Sequence, residues 1–240
     1  MYFRPLPLLS AVFVPLFLML IGLGVWQLER LQWKLGLIAE MNDHLGAPPL
    51  SLDDILKRAP QDAQYRRVAL DGHFENDHEA YVFAATDNGL SAYHVVTPFV
   101  LDDGRTLLVD RGIVPPALRD PETRRAGLLT GEQRIVGVWR KTDPPGVFTP
   151  APDLKNRVWY SRNVTDIARA LHIRLAAPVI VEADATAVPG GWPKGGQTVV
   201  NLPNDHLQYA LTWFLMAGAL LVIYLAYHRA RGRLGIRRQG

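Results

Sequence analysis

Two long apolar stretches lie near the two ends of the chain. From Leu6 to Leu28 and from Leu207 to Tyr227 there is no charged residue. As a helix rising about 1.5 Å per residue, the second stretch is about 31 Å long, which matches the hydrocarbon core of a bilayer. The pattern therefore predicts two membrane-spanning helices, which we assign to residues 6–28 and 204–227.

The first apolar stretch also resembles a secretory signal peptide, since Arg4 precedes it. It is, however, longer than the apolar core of about 7 to 15 residues in such peptides, and it lacks an Ala-x-Ala-like end. We therefore expect a retained helix, which apolar residues at helical spacing extend to Leu45. Gly22 and Gly24 would let the second span approach closely.

The two spans leave residues 1–5 and 228–240 as tails and residues 29–203 as a central domain. The second tail contains no acidic residue and five arginines, namely Arg229, Arg231, Arg233, Arg237 and Arg238. Arginine-rich flanks stay in the cytoplasm, so we expect both termini there and the central domain outside. Without this tail the chain is close to neutral, which gives nucleic-acid binding no support.

The central domain changes to short runs that alternate between apolar and polar residues, which is typical of strands. The predicted strands are Tyr65–Phe74, Glu79–Ala85, Ser91–Leu101, Arg105–Arg111, Gln133–Arg140, Arg157–Ser161, Pro178–Glu182 and Gln197–Asn201.

Two short helices, Ser51–Arg58 and Val164–His172, are predicted at the N-caps Ser51 and Asn163. The fold class is therefore an α+β membrane protein. Two transmembrane helices flank a mostly antiparallel β domain, a small barrel or a sandwich, with few helices.

The composition excludes several kinds of chemistry. The absence of cysteine removes disulfides, thiolate metal sites, cysteine nucleophiles and Cys-x-x-Cys-His haem attachment. With only four methionines, a copper chaperone is poorly supported. No serine lies in a Gly-x-Ser-x-Gly elbow and no glycine-rich loop fits a nucleotide-binding template, so we do not expect an enzyme.

Several polar groups of the central domain have a structural interpretation beside a functional one. His73 and His78 flank a turn and could meet as metal ligands, although turn histidines are usually solvated. His94 is expected to be a packed or surface side chain rather than a base. Asp110-Arg111-Gly112 is expected to form an ion pair at a strand end, and Gly190–Gly196 a flexible loop near the membrane.

A histidine stands at the start of the second span. Pro203 cannot continue a preceding helix and Asn204 is a good N-cap, so His206 falls in the first helical turn. The partly positive helix end favours the neutral imidazole, which is the form that binds a metal. Tyr209 and Trp213 follow on the same face of the helix.

The two spans run in opposite directions, so Trp26 and Gln27 are expected to reach the same leaflet as His206 and Tyr209. Residues far apart in sequence can thus form one site at the membrane interface. An aromatic belt without ligand binding is the alternative, because aromatic side chains favour the headgroup region in any case.

Short motifs follow one another along almost the whole chain. They are Gly22-Leu23-Gly24-Val25-Trp26-Gln27-Leu28-Glu29-Arg30, Trp33-Lys34, Tyr65-Arg66, Gly72-His73-Phe74, Val96-Thr97-Pro98-Phe99, Leu108-Val109-Asp110-Arg111-Gly112, Asp120-Pro121-Glu122-Thr123-Arg124, Trp159-Tyr160, Pro189-Gly190-Gly191 and Asn204 to Tyr209 with Trp213. In this order and spacing they resemble the SURF1 (Surfeit locus protein 1, Shy1) family. One departure is Asp110, where the usual family form has asparagine.

The resemblance, to bacterial members of this family, implies an assembly factor for cytochrome c oxidase and related haem-copper oxidases, which acts on subunit I when haem a is installed. It implies the bacterial inner membrane, a periplasmic central domain, and subunit I, haem a synthase and the bilayer as partners. The second-span histidine, here His206, is the residue implicated in binding haem a. Trp26 and Gln27 would form the opposite wall, and Tyr209 and Trp213 would flank the macrocycle.

The resemblance leaves a second function open. A structural chaperone would hold subunit I, or bridge partners, without touching haem, and the aromatic and histidine cluster would then pack the two spans together.

Overall fold

The computed structural model describes residues 2–85, 89–142, 144–198 and 203–235. The chain divides into two compact units, which we call the terminal unit (Met1–Glu40 with Asn201–Gly240) and the central unit (Met41–Val200). The tail arginines Arg237 and Arg238 lie outside the described residues, as does most of the predicted strand Gln197–Asn201.

The described residues form five α-helices, nine strands and four short 3-10 helices. The α-helices are α1 (Pro7–Gly46), α2 (Leu52–Leu56), α3 (Pro60–Ala63), α4 (Val164–Ala170) and α5 (His206–Ala230). The strands are β1 (Tyr2–Phe3), β2 (Arg67–Phe74), β3 (Ala80–Ala85), β4 (Ser91–Leu101), β5 (Thr106–Val114), β6 (Gln133–Lys141), β7 (Val158–Trp159), β8 (Leu175–Ala183) and β9 (Leu234–Gly235). The 3-10 helices are Asn76–His78, Pro116–Leu118, Pro121–Gly127 and Pro189–Gly191.

Helices α1 and α5 are both long and apolar enough to cross a membrane, judged by length and composition. Helix α1 continues through Pro15 and beyond the apolar stretch, as predicted. Helix α5 begins at His206, and its N-cap is Asp205, which makes no side-chain capping hydrogen bond. The prediction of Asn204 as the cap is therefore wrong, and Asn204 Oδ1 is buried with no hydrogen bond among the described residues.

The buried residues of α1 and α5 follow helical periods. In α1 they are Leu20, Gly24 and Gln27, and in α5 they are Ala210, Ala217, Tyr224 and His228. Such stripes mark the faces that helices bury against each other.

A glycine of α1 allows an aromatic ring of α5 to approach. A Cβ atom on Gly24 would lie 2.5 Å from Phe214 Cε1, whereas one on Gly22 would meet nothing within 4 Å. The predicted close approach is therefore confirmed at Gly24 and wrong at Gly22.

The central unit contains a closed five-stranded barrel with the strand order β2-β6-β8-β5-β4, in which β4 also pairs with β2. Strand β3 continues the sheet from β4, and β7 pairs with β3. All pairs are antiparallel except β5 with β8 and β3 with β7. This confirms the mostly antiparallel domain and identifies it as a barrel.

A glycine permits the barrel to close. Gly72 pairs with Leu101 across β2 and β4, and it has φ +157°. A Cβ atom here would collide with the backbone oxygen of Val100. Only glycine, which has no Cβ atom, fits where these two strands approach each other so closely.

Strand β5 is covered on both faces, which explains its run of three consecutive apolar residues, Leu107, Leu108 and Val109. Leu107 and Val109 belong to the main core of the barrel, together with Phe99 and Val181. Leu108 belongs to a second core, which includes Ile167 of α4.

The local capping predictions are confirmed. Ser51 Oγ accepts a hydrogen bond from Asp54 N at 3.2 Å at the start of α2. Asn163 caps α4 through Thr165 N and Asp166 N. The segment Gly190–Gly196, predicted to be a flexible loop, is held against β5, because Lys194 and Ile113 exchange two backbone hydrogen bonds of 3.0 Å.

Candidate functional site

The terminal unit joins two of the predicted site residues by a hydrogen bond. His206 Nδ1, in the first turn of α5, lies 2.7 Å from Gln27 Oε1 of α1. Gln27 is only 9% exposed. A buried amide in an apolar helix is costly without a partner, and His206 supplies one.

This hydrogen bond decides which nitrogen carries the proton in the neutral imidazole. An amide oxygen can only accept, so Nδ1 carries a proton, and in the neutral ring Nε2 keeps its lone pair. No hydrogen-bond partner of Nε2 occurs among the described residues. His206 is thus a half-buried histidine whose neutral form has one nitrogen available to a metal.

The three aromatic residues of the predicted site take no part in the hydrogen bond between His206 and Gln27. Trp26 is 53% exposed and Tyr209 is 56% exposed. Trp213 is partly buried. Within the described residues none of these three rings stacks on another aromatic ring, so their faces remain available to a ligand.

A second histidine of α5 was not identified from sequence. His228 is fully buried near the other end of the helix, where Leu6 N donates to its Nε2 at 3.1 Å and its Nδ1 lies 2.8 Å from Tyr224 O. Both of its nitrogens are therefore engaged, which distinguishes it from His206. The sequence signal was a lone histidine in the last turn of an apolar helix.

The contacts around His228 hold the two helices together at that end. Tyr224 OH lies 2.6 Å from Ser10 Oγ, and the Tyr224 ring stacks on Phe13 at 4.0 Å. Residues Tyr2–Phe3 pair with Leu234–Gly235 beyond the helix ends.

The chain just before α5 is also tied to α1. Lys34 Nζ donates a hydrogen bond to Pro203 O. Lys34 follows Gln27 by two helical turns, so two residues of α1 contact the segment that contains His206. This segment is thus held on both sides of the start of α5.

The two histidines of the β2–β3 turn each lie near a different carboxylate. His73 lies 3.8 Å from Glu132, and His78 lies 3.5 Å from Glu75. No group of three histidine, aspartate or glutamate side chains in the described part of the chain has the geometry of a metal site.

The predicted ion pair between Asp110 and Arg111 is wrong. The two residues lie inside β5, where successive side chains point to opposite faces. Asp110 Oδ2 lies 2.8 Å from His94 Nδ1, whereas Arg111 reaches Glu79. Arg162 is close to the same carboxylate at 3.9 Å.

His94 is therefore a packed histidine with a charged partner. Burial lowers its pKa, but the carboxylates of Asp110 and, to a smaller extent, Glu182 raise it, so that the net shift of the pKa is upward. Only the fold could reveal this pair, because the two residues lie on neighbouring strands.

Comparison with known sequences identifies the family. A sequence profile of the SURF1 family matches residues 14–218, which include all five predicted site residues. Surfeit locus protein 1 of Mus musculus is 38% identical over 228 residues, covering 86% of this chain and 73% of that protein. The corresponding protein of Takifugu rubripes is 36% identical over 236 residues, covering 89% of this chain and 96% of its own.

A bacterial relative is also similar over most of the chain. The SURF1-like protein of Rickettsia bellii (strain RML369-C) is 30% identical over 226 residues, covering 92% of this chain and 90% of its own. The similarity thus includes both apolar helices and the central barrel. The chain belongs to the SURF1 family.

Proposed function

We propose that this protein is an assembly factor for haem-copper oxidases, and that it handles haem a at His206 during insertion into subunit I. The observation that supports this most directly is the 2.7 Å contact between His206 Nδ1 and Gln27 Oε1. Membership of the SURF1 family supports the oxidase role. The proposal contains no catalytic step.

The residues of the site suit a haem. Neutral imidazole is a common axial ligand of haem iron, and Gln27 would hold His206 in the required tautomer. The exposed faces of Trp26 and Tyr209, with Trp213, would contact the macrocycle. His206 would hold the haem through Nε2, and haem a would supply an iron that coordinates imidazole.

A single histidine ligand also suits transfer. One neutral imidazole at a membrane interface holds an amphipathic porphyrin weakly enough for release. The partners in this scheme are haem a synthase as the donor and oxidase subunit I as the acceptor. A site with two strong protein ligands would retain the haem.

The haem role is tested by purifying the full chain from cells that express the haem a synthesis enzymes. We expect His206→Ala to lose the bound haem spectrum. Gln27→Leu should weaken haem binding about 10- to 100-fold, as is typical when the partner of a metal-binding histidine is removed.

His228→Gln is the matched control, because both nitrogens of His228 are engaged within the protein. It should retain haem. A His206→Ala protein with the spectrum and stoichiometry of the parent would remove the ligand role.

A second function is favoured by the same contact. The His206–Gln27 hydrogen bond also fastens α1 to α5, as a structural chaperone for subunit I would need. In that case His206→Ala should weaken association with the oxidase equally in cells with and without haem a. A loss of association only when haem a is present would support the haem role instead.

A further inference from the structure

The central unit contains a buried cluster of charged side chains, formed by Glu79, Arg111 and Arg124. Their side chains are 2%, 3% and 2% exposed. Arg124 Nη2 donates to Glu79 Oε2 at 2.5 Å, and Arg111 Nη1 lies 3.4 Å from Glu79 Oε1. Glu79 therefore accepts from both arginines.

The cluster has more positive than negative charge. Tyr81 OH donates to Glu79 Oε2 at 3.0 Å, and burial, followed by the Glu79 carboxylate, raises the pKa of Tyr81. The phenol therefore stays neutral. One carboxylate faces two guanidinium groups, so within the described part of the chain one buried positive charge has no counterion of its own.

The uncompensated charge belongs to Arg111. Arg124 forms the shorter pair with Glu79 and also donates to Leu118 O at 2.9 Å. Burial lowers the pKa of Arg111 to about 10, which is the direction expected for a desolvated charge with a weak partner.

Arg111 also has unused hydrogen-bond donors. Nη1 donates to Asn76 Oδ1 at 3.0 Å, and Nη2 donates to Gly127 O. Among the described residues nothing accepts from Nε. The guanidinium lies 4.5 Å from the centre of the Phe74 ring, which holds its plane in place.

Arg111 forms part of the wall of a cavity of about 290 Å³. The rest of the wall is mainly apolar, with Phe74, Leu129, Ile135, Ala183 and Val188. The volume is near the lower limit for small-molecule sites, and a largely apolar wall with a few polar groups is typical of them.

The other charged groups of the wall already have partners. Asp184 Oδ2 lies 3.6 Å from Arg67, and Asp184 Oδ1 accepts from Thr186 N at 3.0 Å. Arg134 Nη1 lies 3.2 Å from Asp71 Oδ2. Arg111 is therefore the charged group of the wall that needs an anion.

We propose that this cavity binds a small amphipathic monocarboxylic acid, whose carboxylate pairs with Arg111 and whose apolar body lies against Phe74 and Ala183. A single negative charge balances the excess charge of the cluster, and guanidinium and carboxylate match in geometry. The site lies within the central unit and is independent of the role proposed for His206.

The test measures binding of three probes to the full chain in lipid nanodiscs by calorimetry, with empty nanodiscs as the baseline. The probes are phenylbutyrate, phenylbutanol and phenyl phosphate. Phenylbutyrate should bind about 10- to 100-fold more tightly than phenylbutanol, as expected for one charge-assisted hydrogen bond. Equal affinities would overturn the proposal, and preference for phenyl phosphate would overturn its carboxylate part.

Two variants distinguish a loss of ligand binding in the cavity from a loss of folding. Arg111→Met should abolish the preference for the carboxylate, but the loss of a buried partner of Glu79 also endangers folding. Ala183→Met fills part of the cavity and leaves Glu79, Arg111 and Arg124 themselves unchanged, and it should reduce phenylbutyrate binding at least about tenfold.

Arg125→Gln is the control, because Arg125 is 76% exposed and pairs with Glu122 outside the cavity. It should bind phenylbutyrate like the parent. Unchanged binding by a folded Ala183→Met protein would place the probe elsewhere and overturn the proposal, as would an absence of phenylbutyrate binding by the parent.

Discussion

At the scale of single residues, hydrogen-bond capacity decides which side chains are free to act. His206 and His228 lie on one face of α5, where His206 contacts Gln27 of α1 and His228 contacts Leu6, just before α1. His206 uses one nitrogen and keeps the other available, whereas His228 uses both. Sequence could identify His206 from its place at a helix start, but the tautomer required the position of Gln27.

The pair of His94 and Asp110 gives a prediction for pH dependence. The pKa of His94 is raised in the folded state. The pair therefore stabilises the fold fully below about pH 6.5, and this stabilisation is lost as the pH rises through the higher folded pKa. We expect a lower urea midpoint at about pH 8.5 than at about pH 6, measured by tryptophan fluorescence.

Asp110→Asn keeps the shape of the side chain and removes its negative charge. It should lower the pKa of His94, read from an NMR titration of the imidazole, and flatten the pH dependence of the urea midpoint. His73→Gln changes a half-exposed histidine 3.8 Å from Glu132 and serves as the control. An unchanged His94 pKa in Asp110→Asn would contradict the pairing.

At the scale of elements, local patterns were sufficient for most of the secondary structure. The strand predicted at Ser91–Leu101 has the same bounds in the structure. The caps at Ser51 and Asn163 were also correct, because a cap depends only on the next three residues. The predicted ion pair of Asp110 with Arg111 failed because neighbours in a strand face opposite sides.

The packing of α1 on α5 gives a prediction at this scale. Gly24→Leu should displace Phe214, because even a Cβ atom there lies 2.5 Å from the ring. Overpacking of this kind costs about 1 to 3 kcal/mol. The expected result is a lower thermal unfolding midpoint of the purified protein in detergent.

Gly22→Leu is the matched control, because a side chain at Gly22 meets nothing within 4 Å. The two variants have the same change in side chain on the same helix. If Gly22→Leu lowered the midpoint as much as Gly24→Leu, helix propensity rather than contact with Phe214 would be responsible.

At the scale of the whole molecule, two apolar helices occur at the ends of the chain and a closed barrel lies between them in sequence. We propose residues 6–28 and 204–227 as the two spans of an inner-membrane protein. The tails 1–5 and 228–240 would be cytoplasmic, and the domain 29–203 periplasmic. The arginine-rich tail is the basis of this orientation.

Reporter fusions test the orientation. Alkaline phosphatase, which is active only in the periplasm, should be inactive after Gly240 and active when inserted at Gly146, in an exposed loop. Green fluorescent protein should give the opposite pattern. An active phosphatase after Gly240 would reverse the orientation and place His206 at the cytoplasmic leaflet.

The sequence by itself determined the two apolar helices, the positions of most strands and the histidine at the start of α5. These features depend on periods and caps that involve only residues close together in the chain. The tertiary structure alone decided that β2 pairs with β4, that Gln27 meets His206 and that Arg111 meets Glu79. Such contacts join residues far apart in sequence, so they follow from register and closure, which no local pattern encodes.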